Sequence, residues 1–125
     1  MPKTKTKPPV RVKTTPALTP RAMRYSFKLE GELNISACVA RQIVNEYLLL
    51  RVPNLIGADE PVLELHANGA HWLVPVILGI PGIGRLGPLG QIVVNAQYGH
   101  ILEDRSTSCE EIEKKADSLA EEKAL

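Results

Sequence analysis

Three places in this chain hold residue types at spacings that chemistry uses. Gly82-Ile83-Gly84-Arg85-Leu86-Gly87 satisfies GxGxxG behind an apolar run. In a dinucleotide-binding turn the third glycine lies in a helix whose N-terminus holds the pyrophosphate. Here Pro88 and Gly90 follow at once and would break such a helix. The segment is therefore read as a bulged β–β connection with Arg85 as its only charge. His66 and His71 flank an Asn68–Gly69 pair, and two imidazoles can hold a metal. Glu64 falls on the same face as His66, but the spacing does not fix it toward both rings. These histidines are read as exposed residues beside a turn, with no metal and no cofactor assigned. Cys38 falls in the first turn of a helix, where the helix N-terminus can lower a thiol pKa, but no histidine is placed as its base. Asp59–Glu60 and Glu103–Asp104 are adjacent acids in connections and read as solvated charge. With no nucleophile–base pair and no convergent pair of acids, the expectation is a protein that is not an enzyme.

The elements that carry these residues follow from periodicity. Tyr25, Phe27 and Leu29 alternate with polar neighbours, a half-buried strand. Ile35, Val39, Ile43, Val44, Tyr47 and Leu48 recur at threes and fours, which predicts a helix over Ser36–Arg51 with Asn34 or Ser36 as its cap. Leu48–Leu50 broadens its apolar side toward a sheet, and Pro53 stops it. Asn54–Pro61 is a connection. Val62–Ala67 alternates with Leu63 and Leu65 inward and Glu64 and His66 outward. Asn68–Gly69 suits a two-residue turn, and Ala70–Gly79 returns as a strand. Pro75 has no ladder N–H and marks an edge or a bulge there. Gln91–Gln97 alternates after the glycine loop, and His100–Leu102 is a short last strand. Thr107…Glu110 and Ser108…Glu111 both fit a capping box that opens a second helix with a thin stripe of Cys109, Ile112, Ala116 and Leu119. The fold class expected is α+β: an antiparallel sheet of about four to five strands with one helix packed on it and a C-terminal helix, in the order β-α-β-β-β-β-α.

At 125 residues the chain has room for one domain. Residues 1–23 repeat Lys, Thr and Pro and are expected to be a disordered basic arm. Residues 24–105 make the α+β domain, and 106–125 an acidic helix, docked or partner-binding. Lys3, Lys5, Lys7, Arg11 and Lys13 precede every acidic residue, which begin at Glu30. Such an arm can bind phosphate backbones nonspecifically. Cys38 and Cys109 lack metal or CxxC spacing and read as reduced thiols, with a single disulfide as the alternative. No apolar run approaches a membrane span, and no apolar stretch follows the basic N-terminus as in a secretory signal. A cytoplasmic protein without membrane contact is expected.

Trp72-Leu73-Val74-Pro75-Val76, and Gly87-Pro88-Leu89-Gly90-Gln91-Ile92-Val93-Val94-Asn95-Ala96-Gln97-Tyr98-Gly99-His100-Ile101-Leu102, resemble a small uncharacterised bacterial α+β family. Its members read W-x-V-P-V, a glycine-rich loop, then G-x-I-x-V-D-A-x-T-G-x-I. Val44-Asn45-Glu46-Tyr47-Leu48 and the acidic C-terminal helix are similar too. The last hairpin also resembles that of the inhibitory PepSY domains, with Asn95 for the usual Asp, Tyr98 for Thr and His100 for a common Glu. Such proteins are often encoded beside PIN-type ribonuclease toxins, so the resemblance implies an antitoxin-like role. The function expected is a non-catalytic binding or regulatory protein acting on a protein partner, a toxin or a second copy of itself. Arg85, Ile83 and Leu86 of the glycine loop, and Ile112 and Leu119 of the last helix, are the expected partner contacts. The alternatives are a nucleic-acid accessory protein that uses the arm, or a self-associating structural subunit.

Overall fold

The computed structural model describes residues 10–11, 31–52, 55–67 and 69–124. Among them are five strands and two helices: β1 (Val10–Arg11), α1 (Ala37–Arg51), β2 (Ile56–Ala58), β3 (Val62–His66), β4 (Gly69–Ile80), β5 (Gly84–Asn95) and α2 (Cys109–Ala124), with a 3-10 turn at Glu103–Arg105 before α2. All strand pairings are antiparallel. The α+β class and the helix-on-sheet arrangement hold. The strand expected at Tyr25–Leu29 lies outside the described residues.

α1 forms where its apolar period begins. The Ser36 hydroxyl accepts from the Val39 N–H at 3.2 Å, and the Val52 N–H closes the far end on the Leu48 carbonyl. Ala40, Val44 and Leu48 are its fully buried stripe. Leu49 and Leu50 do not join it: both face solvent, which corrects the expectation that Leu48–Leu50 packs as a block. They point away because a helix turns 100° per residue, and the sheet covers only one side.

β4 is the centre of the sheet. β5 runs along one margin, and β3 and β2 lie end to end along the other: Val62–His66 pair with Gly69–Leu73, and Ile56–Ala58 with Val76–Leu78. β2 falls in the segment expected to be a bare connection; three residues are too few to show a period. Pro75 sits inside this central strand. Its carbonyl accepts from the Asp59 N–H, so its missing N–H faces the seam between β2 and β3. No ladder bond is lost there, and a register shift follows between Val76 and Leu78.

The glycine segment is ribbon, not loop. β4 and β5 pair out to Ile80–Gly84, leaving a three-residue turn at Pro81–Ile83. Glycine lets β5 pass close to its neighbours. A Cβ at Gly90 would meet Thr107 at 2.7 Å, and one at Gly87, where φ is 136°, would meet the Leu89 nitrogen at 3.0 Å.

After β5 the chain folds back on the outer margin of that strand. The expected last strand reduces to a single bridge, Val94 with Ile101. Beyond it side chains take over from the ladder: the Ser106 hydroxyl accepts from the Val93 N–H at 2.9 Å and the Thr107 hydroxyl from the Gln91 N–H at 3.0 Å. Thr107 is thus engaged with β5, and Ser108 alone opens α2 by accepting from the Glu111 N–H.

Both helices pack on the same face of the sheet. Trp72, Val74 and Val76 from β4, Ile92 and Val94 from β5, Val44 and Leu48 from α1, and Ile112 and Ala116 from α2 form one core. Each fully buried Leu or Ile here is worth about 1.5–3 kcal/mol. The Trp72 indole N–H donates to the Ile35 carbonyl at 2.7 Å, which ties the entry of α1 to the sheet. Ile112 is fully buried and Leu119 partly so, both within this core. Ile112 is therefore taken up by this chain's own core, a correction for that residue, while Leu119 is only partly covered.

Candidate functional site

On the opposite face of the sheet, three side chains with metal-ligating atoms converge. Glu64 and His66 are two apart on β3, so they share a face. The turn sets the rest. The expected loop was Asn68–Gly69, which would set His66 opposite His71. The structure pairs His66 with Gly69, so Glu64 lies directly opposite His71. The faces stay as expected; the partners change. Glu64, expected to face outward, is only 4% exposed.

A Glu64 carboxylate oxygen lies 2.6 Å from His66 Nε2, and the two side chains are 5% and 10% exposed. The rings of His66 and His71 have centroids 4.4 Å apart, tilted by 43°. One ligating atom from each of Glu64, His66 and His71 falls within 4.8 Å of the other two. His71 Nδ1 is buried and has no hydrogen-bond partner among the described residues. Burial first, then the nearby His66 and Arg105 charges, hold the His71 imidazole below its ordinary pKa, with Glu64 opposing. His71 is therefore neutral at pH 7. Two imidazoles and a carboxylate are a donor set that divalent metals use.

The row continues across the sheet. His71 is opposite Asn95 of β5, and Arg11 of β1 is the backbone partner of Glu64. Asn95 is occupied: its side-chain oxygen accepts from the Gln97 and Tyr98 N–H groups, both at 2.8 Å, and holds the turn after β5. Beside Glu64 a depression of about 220 Å³ is lined by Leu73, Gln91, Val93 and Arg105.

The other expected site residues fall elsewhere. Ile83 is exposed at the hairpin turn and Leu86 is half-buried against the core. Arg85, exposed on β5, pairs with Asp59 and so clamps the hairpin to the segment after β2. Arg11 lies in a strand; Lys3, Lys5, Lys7 and Lys13 lie outside the described residues. The GxGxxG segment spans a turn and a strand, with no helix to hold a pyrophosphate. Cys38 is exposed and Cys109 half-buried, and both thiols are free. Cys109 instead lies 3.8 Å from the Tyr47 hydroxyl. Burial, then Cys109, push that phenol up to about 12.

A second feature escaped the periodicity. Leu49, Leu50, Leu55 and Ile83 are 78%, 74%, 53% and 50% exposed. The Leu55 carbonyl accepts from the Gly79 N–H at 2.7 Å, and the Ile83 N–H donates to the Ile80 carbonyl. Leu55 therefore lies beside the end of β4 and Ile83 at the β4–β5 turn, while Leu49 and Leu50 are exposed at the end of α1. The signal available in sequence was Leu48-Leu49-Leu50, three consecutive leucines of which a helix can bury only part.

No family model matches this chain, and the searches of curated proteins and of solved structures found no match. Among the described residues, no helix is long and apolar enough to cross a membrane.

Proposed function

We propose that this chain is a non-catalytic binding protein that acts by holding another protein. The observation that supports this reading is the exposure of Leu49 and Leu50 at the end of α1, with Leu55 beside the end of β4 and Ile83 at the β4–β5 turn. Single exposed apolar residues are ordinary, but two adjacent leucines left uncovered at a helix end are surface that a protein partner can cover. Arg85 and Asp59, paired beside that hairpin, supply a polar border of the kind that rims such contacts. The resemblance to toxin-associated proteins gives the partner class: a PIN-type toxin, which this chain would bind in an antitoxin-like role in the cytoplasm.

Co-expression with the product of the adjacent gene tests this. The expected result is a co-purified complex that the double variant Leu50→Glu, Ile83→Glu loses while keeping the circular dichroism of the unaltered chain. Failure of the unaltered chain to retain that product overturns the toxin assignment. Concentration-dependent mass in light scattering, abolished by the same variant, would replace the toxin with a second copy of this chain.

A further inference from the structure

We propose that Glu64, His66 and His71 bind one divalent late first-row transition-metal ion, of which Zn²⁺ is the type. The argument begins with the backbone. All three residues stand on paired strands, with Glu64 and His71 directly opposite and His66 two residues along the same face. The ladder thus fixes their Cβ positions before any ion arrives, which is how a metal site is pre-organised.

The distances fit a site that tightens around an ion. Tetrahedral zinc with bonds of about 2.0–2.1 Å sets its ligand atoms about 3.3 Å apart. Glu64 and His66 are closer than that at 2.6 Å, and no pair in the set exceeds 4.8 Å. Two imidazoles and one carboxylate are a donor set that such ions take.

The second observation is the unpartnered nitrogen. A contact between Glu64 and His66 satisfies that pair without any ion. It does not account for His71 Nδ1, which folding removes from water and leaves without a partner among the described residues. A buried polar atom in that state costs about 1–3 kcal/mol. It belongs to a ring that has a carboxylate and a second imidazole as neighbours on the same face, and a bound ion would give such a ring a partner. Three protein ligands leave a fourth position for water or an anion. The depression lined by Gln91 and Arg105 also borders Glu64. This inference stands apart from the protein-binding reading: it concerns the far face of the sheet, and either can fail without the other.

Titration of the chelator-treated full chain with Co²⁺, followed by its visible absorption, tests the site. The expected result is saturation at one ion per chain with the intense bands of low coordination, displaced by Zn²⁺. His66→Gln and His71→Gln should each weaken binding at least about 100-fold. His100→Gln and Cys109→Ser should leave it unchanged, since both residues lie outside the set. Folding of each variant is checked by circular dichroism. Should a histidine variant not fold, ¹⁵N chemical shifts of the imidazoles in the unaltered chain decide: His66 and His71 must both move with one equivalent of Zn²⁺. Binding that does not saturate, binding that survives His71→Gln, or shifts confined to His100 would each overturn the proposal.

Discussion

On one face of β4, Trp72, Val74, Val76 and Leu78 disappear beneath two helices; on the other, His71, Leu73, Pro75 and Ile77 alternate with them along the same strand. The first row is apolar except for one indole N–H, and that N–H has a partner in the Ile35 carbonyl. The second row includes an imidazole nitrogen that is buried without a partner among the described residues. A face built for stability satisfies or omits its polar atoms, so the unsatisfied nitrogen sets this face apart from the first.

Substitutions on the two faces should therefore differ in sign as well as size. The largest effect is expected from Leu48→Ala, which empties the centre of the helix-covered side and should cost about 2–5 kcal/mol in urea unfolding. A loss below about 1 kcal/mol would mean that the core is not where the structure puts it. Trp72→Phe removes a paired N–H and leaves the Ile35 carbonyl without its donor, at a cost of about 2 kcal/mol by the same measurement. His71→Phe removes an unpaired atom instead. In metal-free protein it should raise stability by about 1 kcal/mol, and with Zn²⁺ present the ranking should reverse, because only the unaltered chain gains from the ion. Equal destabilisation by Trp72→Phe and His71→Phe in the metal-free protein would erase the contrast between the faces.

The smallest effect belongs to the rim. The backbone N–H of Glu60, and with it the Arg85 guanidinium, holds the Asp59 carboxyl below the usual carboxylate range, while slight burial opposes them. A carboxyl lowered in the folded state contributes stability that is present above its ordinary pKa and lost as pH falls through its lowered one. Arg85→Ala should cost less than about 1 kcal/mol at pH 7, and the loss should vanish in acid below the Asp59 pKa. Urea midpoints at neutral and acid pH provide the check, and an undiminished effect in acid would show that Arg85 acts by packing rather than by charge.

Long periodic elements could be read from the sequence. The boundaries of α1, the alternation of Ile92 and Val94 with their neighbours, and the inward row of Trp72, Val74 and Val76 each repeat often enough to define a face. What could not be read depends on partners distant in sequence. β2 has three residues and exists because β4 offers it a margin. Thr107 has the right spacing for a cap but is taken by the Gln91 N–H. Ile112 looks spare on an isolated helix and is covered only once β5 lies beneath it. The Glu64 cluster was one register step away: the residues were visible, and Glu64 and His66 were placed on one face. Whether His66 pairs with His71 or with Gly69 decides whether an imidazole or a carboxylate stands opposite His71, and the turn preference of an Asn-Gly pair favours the first.

The seam at Pro75 divides one margin of β4 into two stretches with different anchors. The β3 stretch is bordered by β1, whereas the β2 stretch is tied to α1: the Asn45 side-chain oxygen accepts from the Ala58 N–H at 2.8 Å, and the Arg41 guanidinium donates to the Ala58 carbonyl at 3.1 Å. A proline that interrupts the ladder thus leaves each half of that margin bolted to a different neighbour.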